Sequence, residues 1–153
     1  MNNSILHENL IFLNYEATDQ LNLLNKFSGI LYANGYVKNS YAQAVIKREQ
    51  EFPTGLNTPG VKIAMPHTYP AHVLKSTILV ATLKDPVTFK EMGNSDNNVN
   101  AQLVFMLAIT DPKGHLSILS KLMSIFSDKE KLSDIYHTDN KMDMIKKLNK
   151  ILF

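Results

Sequence analysis

Two histidines and one arginine stand where predicted helices and strands end. His67 follows a mostly apolar run over residues 60–66, Arg48 lies at the end of one helical pattern, and His115 lies at the start of another. A neutral imidazole is a good nucleophile near pH 7, and a guanidinium offers a planar fork of donors to phosphoryl oxygens. These residue types suit phosphoryl transfer, in which positioning and electrostatics supply most of the catalysis.

Spacing alone leaves other interpretations open. His67 could equally cap a turn, Arg48 could be only a cation at a helix C-terminus, and an isolated His115 at a helix start is more often a surface or capping residue. Thr54 lies in a Pro-Thr-Gly turn, where a hydroxyl commonly bonds its own backbone, and a phosphate contact is the second interpretation.

Apolar periodicity predicts a helix in the first quarter of the chain. It begins at an N-cap, Thr18 or Asp19, and ends at Gly35, a residue suited to a left-handed cap. Its buried stripe is predicted to contain Leu21, Leu24, Phe27, Ile30 and Leu31.

A second helix is predicted to begin at a capping box that starts with Ser40. It ends near Glu51, because the residue before Pro53 avoids helical backbone. Arg48 therefore falls in its last turn, where the neighbouring Glu49 and Glu51 could orient the guanidinium.

Strands and helices alternate along the rest of the chain. Strands are predicted at residues 10–13, 61–65, 77–83 and 101–109, with a turn at Pro86, a short extended piece at residues 87–89 and a polar loop over residues 92–98. Helices follow at residues 114–128, 129–136 and 139–153. This order predicts one α/β domain with a central mixed sheet flanked by helices.

Composition excludes several function classes. The 153 residues include no cysteine, which removes thiol catalysis, disulfide frameworks and cysteine-zinc sites. The net charge of +2 is too small to predict nucleic-acid binding, and we interpret Lys146, Lys147 and Lys150 as cations near a helix C-terminus. No apolar run approaches the roughly 20 residues of a membrane span, and no signal peptide is visible, so we expect a cytoplasmic protein without membrane insertion.

Three strings carry a resemblance to a known family. Residues 48–56 read REQEFPTGL, residues 61–68 read VKIAMPHT and residues 114–122 read GHLSILSKL. In this order they resemble the fructose/mannitol-type IIA domain of the bacterial phosphotransferase sugar-uptake system, over nearly the whole of residues 1–153. The resemblance implies a mannitol-type IIA-like α/β sandwich. The turn at residues 52–56 resembles the galactitol branch, although some members of that branch lack the second histidine.

The resemblance also implies roles for the residues. His67 would take a phosphoryl group from HPr and pass it to a IIB component, which serves a IIC membrane permease, while Arg48 and His115 assist. We expect Thr54 and Glu51 to contribute to phosphoryl binding and expect no metal or organic cofactor. The alternative is a regulatory protein of the nitrogen type, which acts by phosphorylation-dependent protein binding.

Because HPr and a IIB component would each have to reach His67 in turn, we expect an apolar rim around this residue. Leu56, Met65 and Met92 are the candidates for that rim. Lys62 departs from the family pattern, and we expect it to be solvated if it alternates outward from the sheet. The identity of the sugar lies outside the sequence, because its recognition resembles a task of the IIC component.

Overall fold

One long hairpin gives the central sheet its mixed character. In this computed structural model, which describes residues 5–153, β4 (Thr77–Glu91) and β5 (Asn94–Ala108) pair antiparallel. Gly93 makes the turn between them with a φ of +79°, which glycine adopts at little cost. β1 (Ile11–Tyr15) joins β4 in parallel. On the other side, β3 (Ile63–Ala64) joins β5 in parallel and pairs antiparallel with β2 (Gly55–Leu56).

The predicted turn at Pro86 and the predicted loop over residues 92–98 are both wrong. β4 continues through Pro86, where the pairing with β5 shifts register between Thr82 and Val87. An irregularity of this kind tolerates a residue that has no N–H to donate. Residues 94–98 belong to β5 but are exposed, so this end of the strand has no apolar alternation that a sequence pattern could reveal.

The first face of the sheet is covered by α1 (Gln20–Ala33) and α2 (Tyr41–Glu51). The predicted N-cap is confirmed, because the Asp19 carboxylate accepts from the N–H of Asn22. Leu21 is not in the buried stripe, which uses Leu23 instead, since packing against the sheet selects a slightly rotated face of the helix.

The predicted capping box at the start of α2 is wrong. Ser40 has helical backbone angles and makes no side-chain cap. Its hydroxyl lies 2.8 Å from Nδ1 of His72. The end of α2 at Glu51 is confirmed, with Arg48 in the last turn.

The second face is covered by α3 (Pro112–Phe126), α4 (Lys129–Tyr136) and α5 (Lys141–Leu152). α3 begins earlier than predicted, because Asp111 caps it by accepting from the N–H of Lys113. Its core stripe uses Ile118 and Ile125, whereas Leu116 is exposed. Met106 is buried in the core, whereas Met123 and Met142 are exposed.

Alternate strand residues supply a separate core on each face. Against α3, α4 and α5 lie Ile63, Ile78, Val80, Leu103, Phe105 and Leu107. Against α1 and α2 lie Ala64, Leu79, Ala81, Leu83, Val104 and Met106. This alternation is the period of a strand whose two faces are both covered, and it confirms the predicted α/β class.

The sheet brings the ends of two segments to one edge. The chain after β3 continues beside β5, as the hydrogen bond from the Leu107 N–H to the Pro66 carbonyl shows at 3.0 Å. His67 therefore leaves the sheet where β5 ends and α3 begins, the edge at which α/β folds assemble their sites. Within residues 5–153, no helix has the length and apolar character needed to cross a membrane.

Candidate active site

An open cleft of about 280 Å³ lies at this edge of the sheet. It collects the three residues that sequence analysis singled out, each from a different element: Arg48 from α2, His67 from the segment after β3, and His115 from α3. Its walls are completed by Thr68, Tyr69, Pro70, Pro112 and Leu116.

The two histidines face each other across the cleft, with ring centroids 4.9 Å apart and an interplanar angle of 59°. Nδ1 of His67 lies 2.8 Å from the carbonyl oxygen of Met65. A carbonyl oxygen only accepts hydrogen bonds, so Nδ1 carries the proton and donates it. The neutral ring then has its lone pair on Nε2, which is the nitrogen available to an electrophile.

Both imidazoles are held in the neutral form. Burial lowers the pKa of His67 below its ordinary 6.5, and the charge of Arg48 lowers it further, although the hydrogen bond to Met65 acts in the opposite direction. Burial also lowers the pKa of His115, and His67 and Arg48 add to that effect. Desolvation disfavours the charged form of a histidine, so the ring of His67 is neutral rather than cationic at pH 7.

Aromatic residues, rather than the neighbouring glutamates, hold Arg48. Its Nη1 donates to the hydroxyl of Tyr69 at 2.9 Å, and its guanidinium lies 4.5 Å from the ring centroid of Phe52 and 5.0 Å from that of Tyr69. In the described part of the chain, Arg48 forms no ion pair with Glu49 or Glu51. Tyr69 and Phe52 carry no periodic signal, so sequence reasoning missed them.

Thr54 and Glu51 do not line the cleft. Thr54 is buried, and its hydroxyl donates to Oε1 of Glu49 at 2.7 Å. Glu51 is exposed at the end of α2. The structure therefore brings Thr54 against Glu49 rather than into the cleft, and it leaves Glu51 outside.

Glu49, which was expected to orient the Arg48 guanidinium, is instead a buried partner of Thr54. It is buried at 4% exposure, and burial raises the pKa of its carboxyl to about 7, although hydrogen bonds from Thr54 and the charge of Arg48 lower it. A signal was present in the sequence, because Tyr41, Val45 and Glu49 recur every four residues and form the buried stripe of α2.

The predicted rim is partly wrong. Met65 is only 1% exposed and belongs to the core, since it alternates inward beside β5. Leu56 is half-buried and Met92 is exposed on the hairpin, but neither lines the cleft. The exposed apolar side chains at the cleft are Leu116, Tyr69 and Phe52, which contacts Arg48.

Two further polar side chains, those of Thr68 and Lys62, belong to the same stretch of the chain as His67. The Thr68 hydroxyl is buried next to His67 and has no hydrogen-bond partner among the described residues. Lys62 is half-buried and donates to the Thr58 carbonyl at 2.6 Å, which gives it a local structural contact. Residues 5–153 contain no group of three or more histidine or carboxylate side chains that could hold a metal ion.

Comparisons with known proteins agree with this architecture. Residues 4–151 match the family described as "Phosphoenolpyruvate-dependent sugar phosphotransferase system, EIIA 2". The galactitol-specific EIIA component of Escherichia coli (strain K12) is 33% identical over 101 residues, which cover 66% of this chain and 67% of that protein. The mannitol-specific phosphotransferase enzyme IIA component of Bacillus subtilis (strain 168) is 27% identical over 150 residues, which cover 96% and 98%.

A solved structure has the same fold. The crystal structure of IIA mannitol from Escherichia coli superposes with a TM-score of 0.70 at 26% identity, over 95% of this chain and 96% of that one. The chain belongs to the EIIA 2 family of the sugar phosphotransferase system, and the family identifies it as a phosphocarrier component.

Proposed function

We propose that in this EIIA phosphocarrier His67 is the residue that carries the phosphoryl group, on Nε2. The observation that supports this most directly is the hydrogen bond from Nδ1 to the Met65 carbonyl, which leaves Nε2 as the unprotonated nitrogen. In the step, Nε2 attacks the phosphorus of a donor phosphohistidine, and an N–P bond forms as the donor N–P bond breaks. The leaving nitrogen keeps the electron pair, and Nδ1 of His67 keeps its proton.

Arg48 and His115 would act on the phosphoryl oxygens. The Arg48 guanidinium has further N–H donors besides the one that bonds Tyr69. His115 lies in the first turn of α3, where the helix dipole also favours negative charge. Thr54 and Glu51 make no direct phosphoryl contact in this proposal, because neither lines the cleft.

The donor that we propose is phosphorylated HPr, and the acceptor is a IIB component that serves a IIC permease. The exposed apolar rim of Leu116, Tyr69 and Phe52 supports transient docking of two protein partners in turn. A galactitol-like polyol is the proposed substrate class, on the turn at residues 52–56 and the similarity to a galactitol-specific component. The regulatory alternative has less support, since the relatives described above are named as sugar-specific components.

Two predictions accompany this proposal. One is a cytoplasmic location, where the phosphoenolpyruvate-dependent donors act. The other is that residues 1–153 form one EIIA domain, of which the family match spans residues 4–151.

The test is phosphorylation with phosphoenolpyruvate, enzyme I and HPr. The wild type should acquire an acid-labile, base-stable phosphoryl group and pass it to a galactitol-type IIB component. His67→Ala should acquire none, because no other residue of the cleft combines a free imidazole nitrogen with the Met65 contact.

The control is His137→Ala, which removes an exposed histidine that does not line the cleft and should retain the label. Label that survives in His67→Ala sinks the assignment. Transfer to a mannitol-type or fructose-type IIB in preference to a galactitol-type IIB would overturn the substrate class alone.

A further inference from the structure

A chain of hydrogen bonds connects the buried Glu49 carboxylate to the ring of His67. Oε1 of Glu49 accepts from the Thr54 hydroxyl and Oε2 accepts from the Thr54 N–H, both at 2.7 Å. The same hydroxyl oxygen accepts from the Met65 N–H at 3.2 Å. The Met65 carbonyl then accepts from Nδ1 of His67 at 2.8 Å. Together these hydrogen bonds connect the end of α2, the turn before β2 and the segment after β3.

We propose that Glu49 is a positioning residue for His67, acting through the side chain of Thr54 and the backbone of Met65. The proposal rests on the assignment of His67 as the phosphoryl carrier. In this proposal Thr54 connects Glu49 to the backbone of Met65 by hydrogen bonds. It does not make the phosphoryl contact that was expected from the sequence.

The direction of the hydrogen bonds explains why a carboxylate stands at this position. Thr54 uses both of its donors, the N–H and the hydroxyl, on Glu49. Its oxygen lone pairs therefore remain free to accept from the Met65 N–H. An ionised carboxylate accepts at both oxygens, whereas a glutamine amide accepts at one and donates at the other. Glutamine would fill the same space and leave one buried donor of Thr54 unpaired.

Burial makes this arrangement costly to disturb. Glu49, Thr54 and Met65 are 4%, 2% and 1% exposed, so water does not readily replace a lost partner. Burial raises the pKa of the Glu49 carboxyl to about 7, while the hydrogen bonds from Thr54 and the charge of Arg48 favour its ionised form. Without the hydrogen bonds from Thr54 to Glu49, the Met65 carbonyl can shift, and the His67 ring then loses the contact that selects its tautomer.

The experiment compares four variants of the full chain. Glu49→Gln removes one acceptor while keeping the shape, Thr54→Val removes the hydroxyl, and Thr54→Ser keeps it. Thr82→Val is the matched control, because Thr82 is likewise buried and its hydroxyl likewise accepts from a backbone N–H, that of Asn14, at 2.8 Å. Long-range ¹H–¹⁵N spectra report the protonated nitrogen of His67, and a rapid-quench assay reports phosphoryl acceptance from phospho-HPr.

The wild type should show Nδ1 protonated. Glu49→Gln and Thr54→Val should mix the two tautomers and accept phosphoryl about tenfold more slowly, since small displacements of a reacting group are costly. Thr54→Ser should restore both readouts, and Thr82→Val should change neither. Glu49→Gln keeps the test decisive if Thr54→Val does not fold.

Several outcomes overturn the proposal. One is a wild type in which Nε2 of His67, rather than Nδ1, carries the proton. Another is a wild-type rate of phosphoryl acceptance, or an unchanged His67 tautomer, in both Glu49→Gln and Thr54→Val. A third is an effect of Thr82→Val as large as that of Thr54→Val. The spectra need no partner protein. A wild type that accepts no phosphoryl group therefore refutes the function proposed for His67, while the tautomer comparison still decides the role of Glu49.

Discussion

The phosphoryl-carrying role proposed for His67 makes two demands that oppose each other. Its Nδ1 needs a hydrogen-bond acceptor that fixes the ring, yet such a partner also favours the protonated ring, which cannot attack phosphorus. The Met65 carbonyl provides the acceptor without providing a full negative charge. Burial and Arg48 both lower the pKa of His67, so the ring is fixed and still neutral.

The titration of His67 is the first prediction. Because burial lowers the pKa of His67 from 6.5, its ring signals should titrate with a midpoint below 6.5 in an NMR pH series. The unfolded chain binds this proton more readily than the folded protein does. The contribution of His67 to the free energy of unfolding is therefore fully present above pH 6.5, and it is lost as the pH falls below 6.5 and through the lower pKa of the folded protein.

An N-acetylhistidine amide in the same buffer provides the reference, with an ordinary pKa of about 6.5. A His67 midpoint at or above that of the reference contradicts the prediction. It would mean that the hydrogen bond to Met65 outweighs burial, and that the ring is partly cationic in the working pH range.

The sequence predicted the residues that meet in the cleft better than the residues that hold them in place. His67, Arg48 and His115 are recognisable from motifs at element ends, and the fold does bring them into one cleft. Tyr69 binds Arg48 only because two distant segments meet there. The spacing of Glu49 from Tyr41 and Val45 indicates the buried stripe of α2. A charged residue is nevertheless usually expected at the surface, so this spacing alone does not predict its burial.

At the scale of elements, the two-residue strand β2 contacts two other strands and thereby fixes the position of the turn before it. Gly55 pairs with Ala64 of β3 and also with Glu91 of β4, and its carbonyl accepts from the Met92 N–H at 2.8 Å. This strand therefore fixes the turn that carries Thr54. The close approach depends on glycine, because a Cβ at this position would lie 2.6 Å from the Lys90 carbonyl oxygen.

Gly55→Ala should therefore destabilise the protein and disturb the site. A Cβ at 2.6 Å from backbone and 3.0 Å from Cβ of Val99 forces the strands apart, and overpacking of this kind costs about 1–3 kcal/mol. Urea unfolding measures the loss, and phosphoryl acceptance should fall because the Thr54 turn moves with β2.

Gly29→Ala is the matched control. Gly29 lies inside α1 with nothing within 4 Å of its ideal Cβ, and an alanine in a helix interior is favoured by about 1 kcal/mol. This variant should be more stable than the wild type and should keep its phosphoryl acceptance. Equal unfolding free energies for the two variants would contradict the argument about β2.

Helices and strands differed in how far the sequence predicted them. Local signals placed α1, α2 and α4 within a residue or two: the Asp19 cap marks the start of α1, Pro53 limits the end of α2, and apolar spacing identifies α4. The long hairpin was broken into pieces, because its distal half is exposed and Pro86 resembles a turn. Pairing between β4 and β5 carries the chain through Pro86, and a partner strand is invisible to a local pattern.

For the whole molecule, the cleft is an assembly of three segments that lie far apart in the sequence. α2 belongs to one face of the sheet and α3 to the other, and His67 leaves the sheet between them. The mixed sheet class was predictable from the alternation of elements. The apolar rim of the cleft was not predictable, because the exposed face of a helix depends on how that helix packs. In α3, packing leaves Leu116 exposed.

The last prediction concerns partner docking at this rim. Leu116 is 69% exposed and lines the cleft beside His115. Leu116→Ser should raise KM for phospho-HPr about fivefold to thirtyfold, because a leucine that becomes buried on docking contributes on the order of 1–2 kcal/mol. The kcat for phosphoryl acceptance should change little, since the side chain contributes binding rather than transition-state contacts.

Leu21→Ser separates docking from general surface effects. Leu21 is also an exposed helical leucine, at 56%, but it lies on α1 and does not line the cleft. Both variants should unfold within about 0.5 kcal/mol of the wild type, as surface substitutions usually do. Only Leu116→Ser should weaken transfer from phospho-HPr, and an equal KM for the two variants would exclude Leu116 from the docking surface.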